Sequence, residues 1–484
     1  MAEWPRRLSI LLIVIVLGIC IYRARTQSFS IDEAWAYNSF VAPPLSKMAQ
    51  EYDACNHVLH TLLLKVAKAS LGGGELALRT PSLIAALFYC IACYRLTRLL
   101  LSPWPQLLAM MLLTLTPVLL DFMIAARGYG LGLCFLMWAI YSAISWATRG
   151  FELKWLRRAG VFAGLATGAN LIMIVPAAAL GLGLLLVGLR DRSRGIWNVV
   201  DKYGGPAVAI AFLIVIIPIL PATKDNFYYG ATTLKDSVRS IAEGFIKTDR
   251  HWPGSNPDPF LDAVGYVLLP ILLAALLLLV ITSARRYIRS QPAAYRLSTM
   301  VILGTTAVAS ALLWIVLHSV AGVKYPLGRT GIYFWPVWIV AGFYALHLDI
   351  GTRFATLTRT AGYVLALGLA FVAIRQTDSR YFYEWKYDAG TRNLIRFLEA
   401  DMRGRKWDHV VRVGTDPLLR ETARWYRNRR RLEWMAEPQS DNLETESFDY
   451  YLFSDSNVNL VSRLNLEELN QDPVAGSVLA RRRQ

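Results

Sequence analysis

The stretch LSILLIVIVLGICIY, residues 8–22, decides the fold class: it is built almost entirely of Leu, Ile and Val and carries no charge. Such a run enters or crosses a bilayer. No small-residue cleavage site follows it, since the next residues are Arg23-Ala24-Arg25, so it reads as an uncleaved signal-anchor helix. Shortly beyond its end comes Ser30-Ile31-Asp32-Glu33-Ala34-Trp35. Two adjacent carboxyls are thus expected at the membrane–water boundary. There a carboxylate stays charged while bordering a cavity of low dielectric.

Working outward, apolar segments recur along most of the chain. Of 484 residues, 55% are hydrophobic and only 18% are charged, unlike an ordinary soluble domain. About eleven transmembrane helices are expected, near 8–22, 80–97, 105–123, 129–147, 159–173, 174–189, 205–221, 261–282, 298–318, 331–347 and 361–374. The pair between 159 and 189 reads equally as two short spans or as one span plus a re-entrant piece. The fold class is therefore a polytopic α-helical membrane protein.

Charge orients the set. One family of short loops holds Arg6 and Arg7, Arg95 and Arg98, Arg149 to Arg158, Arg190 to Lys202, Arg285 to Arg296, and Arg353 with Arg359; these loops are strongly basic, as cytoplasmic loops are. The N-terminus is expected inside, and everything after residue 375 outside, at the plasma (inner) membrane. Net charge is +16, yet residues 376–484 hold 18 basic and 18 acidic groups. The excess is topology signal and attraction to lipid head groups, which excludes a nucleic-acid partner. Cys20, Cys90, Cys93 and Cys134 fall in expected spans and act as small apolar residues, and Cys55 has no partner in the tail, so no disulfide framework exists.

Two regions are expected: residues 1–375 in the membrane and 376–484 as a small extracytoplasmic α/β domain. Within the first, an outer loop over 23–79 holds an amphipathic stretch near Leu45–Tyr52 and a helix along the interface from His60 to Ala69, ended by Gly72-Gly73-Gly74. A second outer loop, 222–260, holds an amphipathic helix from Asp236 to Lys247 and a turn-rich strip, Trp252–Pro257, suited to a flap. In the tail, helices are expected over Ala389–Met402 and Pro417–Tyr426, and strands over Val410–Gly414 and Tyr450–Phe453.

The polar residues expected at the outer face are Asp32, Glu33, His57, His60, Asp121, Arg127 and Arg329. Acids, fixed cations and histidines converging on one cavity suit a general base beside an anionic phosphate leaving group. Arginine is apt there because its planar fork binds phosphate oxygens in pairs. Asp53 and His57 are the candidate ligands should a divalent metal ion be used, although two ligands never define a site.

In this order the residues resemble the GT-C superfamily of polytopic membrane glycosyltransferases, in its protein O-mannosyltransferase and lipid A aminoarabinose-transferase branch. The resemblance rests on Asp32-Glu33 early in the first outer loop, and on His57 with the Leu-rich helix to Val66. It continues through Ala77-Leu78-Arg79-Thr80-Pro81-Ser82, Ala126-Arg127-Gly128-Tyr129, and Arg329 before Tyr333-Phe334-Trp335-Pro336. Where members have His-Pro-Pro-Leu, this chain has His57-Val58-Leu59-His60. The resemblance implies a sugar donor linked to polyprenyl phosphate and an acceptor that is a glycan, a lipid or a protein. Asp32 would be the general base of an inverting transfer, and Glu33 would orient it or touch the acceptor. Arg127, Arg329, His57 and Tyr129 would hold the departing phosphate, with Asp121 and His60 as auxiliary or acceptor contacts. Two rivals stand beside this. A transporter or lipid flippase would show internal repeats or helices broken at midplane. A scaffold presenting the tail would not need the acid–arginine set.

Overall fold

The computed structural model describes residues 3–190, 195–246, 259–289, 295–348, 355–403 and 409–483. Among these, eight helices are long and apolar enough to cross a membrane: Trp4–Thr26, Glu75–Leu100, Gly128–Thr148, Leu171–Gly188, Gly195–Ile219, Pro259–Arg289, Tyr295–Ala321 and Thr356–Gln376. The other expected segments also fall on helices, but shorter ones: Pro103–Leu115, Leu153–Ala169 and Phe334–His347. The chain is a multi-pass helical membrane protein with a small sheet near its C-terminal end.

Proline and asparagine explain where the expected spans divide. The segment read as one span over 105–123 is broken at Thr116, which is extended (φ −57°, ψ 125°), and Pro117 opens a separate short helix, Pro117–Phe122. The proline ring disfavours helical geometry at the residue before it. The ambiguous stretch 159–189 is two helices, Leu153–Ala169 and Ile174–Gly188, which meet at Asn170. Asn170 is extended, and its side-chain oxygen accepts from Ile172 N at 3.2 Å, capping the turn that follows.

The first outer loop carries a short helix Ile31–Ala36, then a π-helical turn Tyr37–Val41, then the interfacial helix Val58–Leu71. The interfacial helix is longer at each end than its pattern suggests, and it stops at Gly72, whose φ of +87° suits glycine alone. The amphipathic stretch near Leu45–Tyr52 shrinks to one turn, Lys47–Gln50, after Pro43-Pro44. In the second outer loop, helix Leu234–Ile246 forms where expected. It is tied to the segment before Arg329 by Ser237 Oγ donating to Pro326 O at 2.6 Å and by Gly328 N donating to Ser240 Oγ at 3.0 Å. The strip Trp252–Pro257 lies outside the described residues, as do Arg192, Arg194 and Arg353 of the basic loops.

In the tail, helices Thr391–Arg403 and Pro417–Arg430 pack on a four-stranded sheet of order β1-β2-β4-β3, with β1 Val413–Thr415, β2 Tyr450–Phe453, β3 Leu466–Gln471 and β4 Val478–Arg482. β1 runs parallel to β2; the other neighbours are antiparallel. The strand expected over Val410–Gly414 is displaced, with Val411 making only an isolated bridge to Met435. β3 escapes sequence reading because it is an edge strand with Glu467 and Glu468 exposed, and edges are often charged. The tail shares a core with the first outer loop. Phe29 stacks on Trp425 with ring centroids 4.3 Å apart, and Phe29 N donates to the Tyr426 hydroxyl at 3.0 Å.

Candidate active site

Helix Ile31–Ala36 places the two carboxyls, and the local sequence explains how. Ser30 is its N-cap, and Glu33, three residues on, accepts from Ser30 N at 2.9 Å, which is half of a capping box. Asp32 and Glu33 therefore start the helix on different faces and meet different partners.

Glu33 is fully buried and saturated. It receives Arg79 Nε at 2.9 Å, Arg79 Nη2 at 2.7 Å, Ala126 N at 2.6 Å and the Ser30 N–H already described. Arg79, also fully buried, spends its remaining N–H groups on the carbonyls of Ala24, Gln27 and Ser28. No Glu33 oxygen is left open to a ligand. Its work is to hold the loop, and Asp32 with it, against the turn before Arg127.

Asp32 is different. Its Oδ2 lies 2.5 Å from Arg329 Nη1, and its side chain retains 15% exposure. Arg127, almost fully buried, donates from Nη1 to the Asp32 carbonyl at 3.1 Å and to the Cys55 carbonyl at 3.0 Å. The Nε atoms of both Arg127 and Arg329, like Asp32 Oδ2, are buried and have no hydrogen-bond partner among the described residues. Such donors are costly to leave unmet. Arg329 sits over the Tyr229 ring at 4.7 Å and the Trp385 ring at 5.9 Å, and Glu384 accepts from Arg329 N at 3.2 Å. The Glu384 carboxylate also lies 3.9 Å from Arg329 Nη1, so two carboxylates and two guanidiniums meet in one buried cluster beside aromatic rings. Burial, then the Asp32 and Asp388 carboxylates, push the Tyr387 hydroxyl well above the usual phenol range, so it stays a neutral donor beside this cluster.

The remaining expected residues divide. His57 and Tyr129 stand at the pocket with ring centroids 4.9 Å apart, and Gly128 lets them approach. A Cβ on Gly128 would lie 2.2 Å from the Ala169 carbonyl and 2.5 Å from His57 Cβ. Burial, then the Arg127 cation, drive His57 well below its usual range, so it is a neutral imidazole. His60 turns away: its Nε2 meets Ser82 Oγ at 3.1 Å, Ser82 in turn donates to the Ala125 carbonyl, and burial then Arg127 push His60 down to about 3. Asp121 is also diverted. It pairs with Arg23 at 2.6 Å and accepts from Tyr383 N, which fastens the first span to the chain entering the tail. Asp53 accepts from Cys55 N at 2.6 Å, and among the described residues no three His, Cys, Asp or Glu side chains gather as a metal site.

Several contributors went unread in the sequence. Arg79 and Arg23 had a usable signal, since an arginine at the edge of an apolar span demands a partner. Tyr229, Glu384, Trp385 and Tyr387 had none; only folding brings them to Arg329.

Residues 58–221 match a family model described as dolichyl-phosphate-mannose-protein mannosyltransferase. The chain resembles the GT-C membrane glycosyltransferases. The matched stretch holds His57's neighbours, Arg79, Asp121, Arg127 and Tyr129, but neither Asp32 nor Arg329. No curated protein matches the chain. Among solved structures, ArnT from Cupriavidus metallidurans bound to undecaprenyl phosphate is 14% identical, with 99% of this chain and 98% of that chain covered and a TM-score of 0.45. The oligosaccharyltransferase of Archaeoglobus fulgidus, in complex with zinc and sulfate, is 12% identical over 97% of this chain and 73% of that one, with a TM-score of 0.48. Arabinosyltransferase EmbB from Mycobacterium smegmatis is 15% identical over 78% and 42%, with a TM-score of 0.34. At these values the likenesses carry no residue over from one chain to another.

Proposed function

We propose that this chain is a GT-C-type glycosyltransferase that moves a sugar from a polyprenyl-phosphate-linked donor to an acceptor at the outer membrane face. Residues 1–375 form its catalytic membrane part and residues 376–484 an outward domain. The observation that carries the reading is the pairing of Asp32 with Arg329 while Arg127 grips the same residue's backbone. A base and the cations for an anionic leaving group stand within one contact of each other.

In the proposed step the acceptor's hydroxyl or amine attacks the anomeric carbon. The bond from that carbon to the phosphate oxygen breaks, and the electron pair leaves with polyprenyl phosphate. Asp32 takes the acceptor proton, and attack opposite the leaving group inverts the centre. In the resting site Asp32 Oδ2 lies 2.5 Å from Arg329 Nη1 as an ion pair, without an aligned hydrogen bond among the described residues. Arrival of the donor phosphate supplies Arg329 with another anion and loosens its hold on Asp32, so donor binding arms the base. The unmet Nε donors of Arg127 and Arg329 give the phosphate further partners.

The test is Asp32→Asn in the full chain, reconstituted with a polyprenyl-phosphate sugar. Transfer should fall by about a hundredfold or more, with the melting temperature little changed. Transfer near the wild-type rate would remove Asp32 as the base.

A further inference from the structure

Near the acid–arginine cluster lies a cavity of a different character. It is an open cleft of about 340 Å³. Trp35, Tyr52, Ser39, Gln50, Asp53 and Asn226 line it, together with Phe40 and the Pro221–Thr223 turn. Aromatic faces, amides, a hydroxyl and carboxylates are mixed here, and among the described lining residues none is a lysine or an arginine. That separates it from the Arg127–Arg329 pocket, which is built for anions.

Its walls are fastened to Asp32. Trp35 follows Asp32 by three positions on helix Ile31–Ala36, so both side chains lie along one helix face, a single turn apart. The opposite wall, Tyr52 and Asp53, leads directly to Cys55, whose carbonyl is gripped by the same Arg127 Nη1 that grips the Asp32 carbonyl. Asn226 closes the third side by donating from Nδ2 to the Tyr52 carbonyl at 2.9 Å, and Phe227 packs on the Tyr52 ring at 5.4 Å. Burial, then Asp53, push the Tyr52 hydroxyl up to about 12, so it remains a donor at neutral pH.

We infer that this cavity is a saccharide subsite, which takes an uncharged or amino sugar ring and presents it to Asp32. A sugar ring has an apolar C–H face that packs on an aromatic plane and a rim of hydroxyls that need both donors and acceptors. Trp35 and Tyr52 supply the planes; Asp53, Gln50, Ser39 and Asn226 supply the rim. Glu51 is already paired with Lys47, but the Asp53 carboxylate has no described basic lining residue against it, so an anionic sugar is disfavoured. The ring belongs either to the acceptor or to the donor. The inference deepens the transferase reading, but binding can be measured apart from transfer.

The experiment uses the full chain in lipid nanodiscs and saturation-transfer NMR with methyl glucoside, methyl glucosaminide and methyl glucuronide. The first two should show transfer, and the glucuronide should bind about tenfold more weakly. Trp35→Ala should weaken glucoside binding by about tenfold, whereas Trp35→Phe keeps most of it. Tyr52→Phe, which retains the ring, should reduce binding less than Trp35→Ala. Displacement of the glucoside by a polyprenyl-phosphate sugar, but not by polyprenyl phosphate alone, assigns the ring to the donor. Absence of displacement by either assigns it to the acceptor. No saturation transfer from the glucoside, equal signals in wild type and a folded Trp35→Ala, or preference for the glucuronide would overturn the subsite. Glycoside binding by a chain that transfers no sugar would leave the subsite standing and remove the transferase reading instead.

Discussion

Asp32 and Glu33 are neighbours in sequence, and each pairs with an arginine, but the two pairs are opposites. The Glu33–Arg79 pair has no exposure on either side chain, and every Glu33 oxygen is satisfied by N–H groups from three parts of the chain. The Asp32–Arg329 pair keeps 15% and 11% exposure and leaves a guanidinium nitrogen unmet. A saturated pair resists exchange because any substitute must replace all its bonds at once. An open pair exchanges one anion for another at little cost. The first is suited to holding the fold, and the second is the one we propose a ligand engages.

The largest effect that tests this contrast is Glu33→Gln. It strands the Arg79 charge, and the loss of stability should be about 3–5 kcal/mol, read as a drop in melting temperature and in yield of monodisperse protein. If Glu33→Gln instead melts like wild type and only transfer is lost, the two pairs have been assigned the wrong way round. Next in size is Arg329→Lys, which keeps the charge but removes the fork. Donor affinity should fall by roughly tenfold or more with stability nearly unchanged; an unaltered donor KM would detach Arg329 from the phosphate.

A third change sharpens how the tail is docked on the first loop. Asp388 is buried, accepts from Thr391 Oγ1 at 2.5 Å and from Thr422 Oγ1 at 2.7 Å, and burial raises it to about 7. Its folded value lies above the ordinary aspartate value of 3.8, so the folded protein holds this proton more tightly. The stabilisation is complete below the unfolded value and is lost as pH rises through about 7. Wild type should therefore lose stability between about pH 4 and pH 7 relative to Asp388→Asn, by a few kcal/mol at most and with no further loss above about pH 7. Parallel pH profiles for the two proteins would show that Asp388 does not titrate there. The smallest expected effect is Gly128→Ala. Its Cβ must displace the Ala169 carbonyl or His57. About 1–3 kcal/mol of overpacking should appear in the melting temperature, with donor KM altered through His57 and Tyr129. Normal melting would mean the helices yield there.

Much of the helical scaffold was legible, because a lipid-spanning segment must be apolar along its whole length, and that is written locally. Where spans divide was less legible: 105–123 reads as one span although Pro117 splits it, and 159–189 stands open between two spans and one span with a re-entrant piece, because whether a residue breaks a helix depends on what packs around it. The site was legible as a cast of residues rather than as partnerships. Asp32, Arg127 and Arg329 come together, whereas Asp121 and His60, equally polar and equally near the outer face, are taken up by Arg23 and Ser82. A sequence shows which side chains can pair, not which of several candidates arrives first.

By itself, then, the sequence determined a multi-pass membrane fold and the residue types able to handle a base and a phosphate, since hydrophobic length and charge are properties of segments. The tertiary structure decided that adjacent carboxyls meet unlike partners. It also brought Glu384, Trp385 and Tyr387 from far along the chain to Arg329, and set a sugar-sized cavity one helical turn from Asp32. Those outcomes depend on distances between remote segments, which only packing sets.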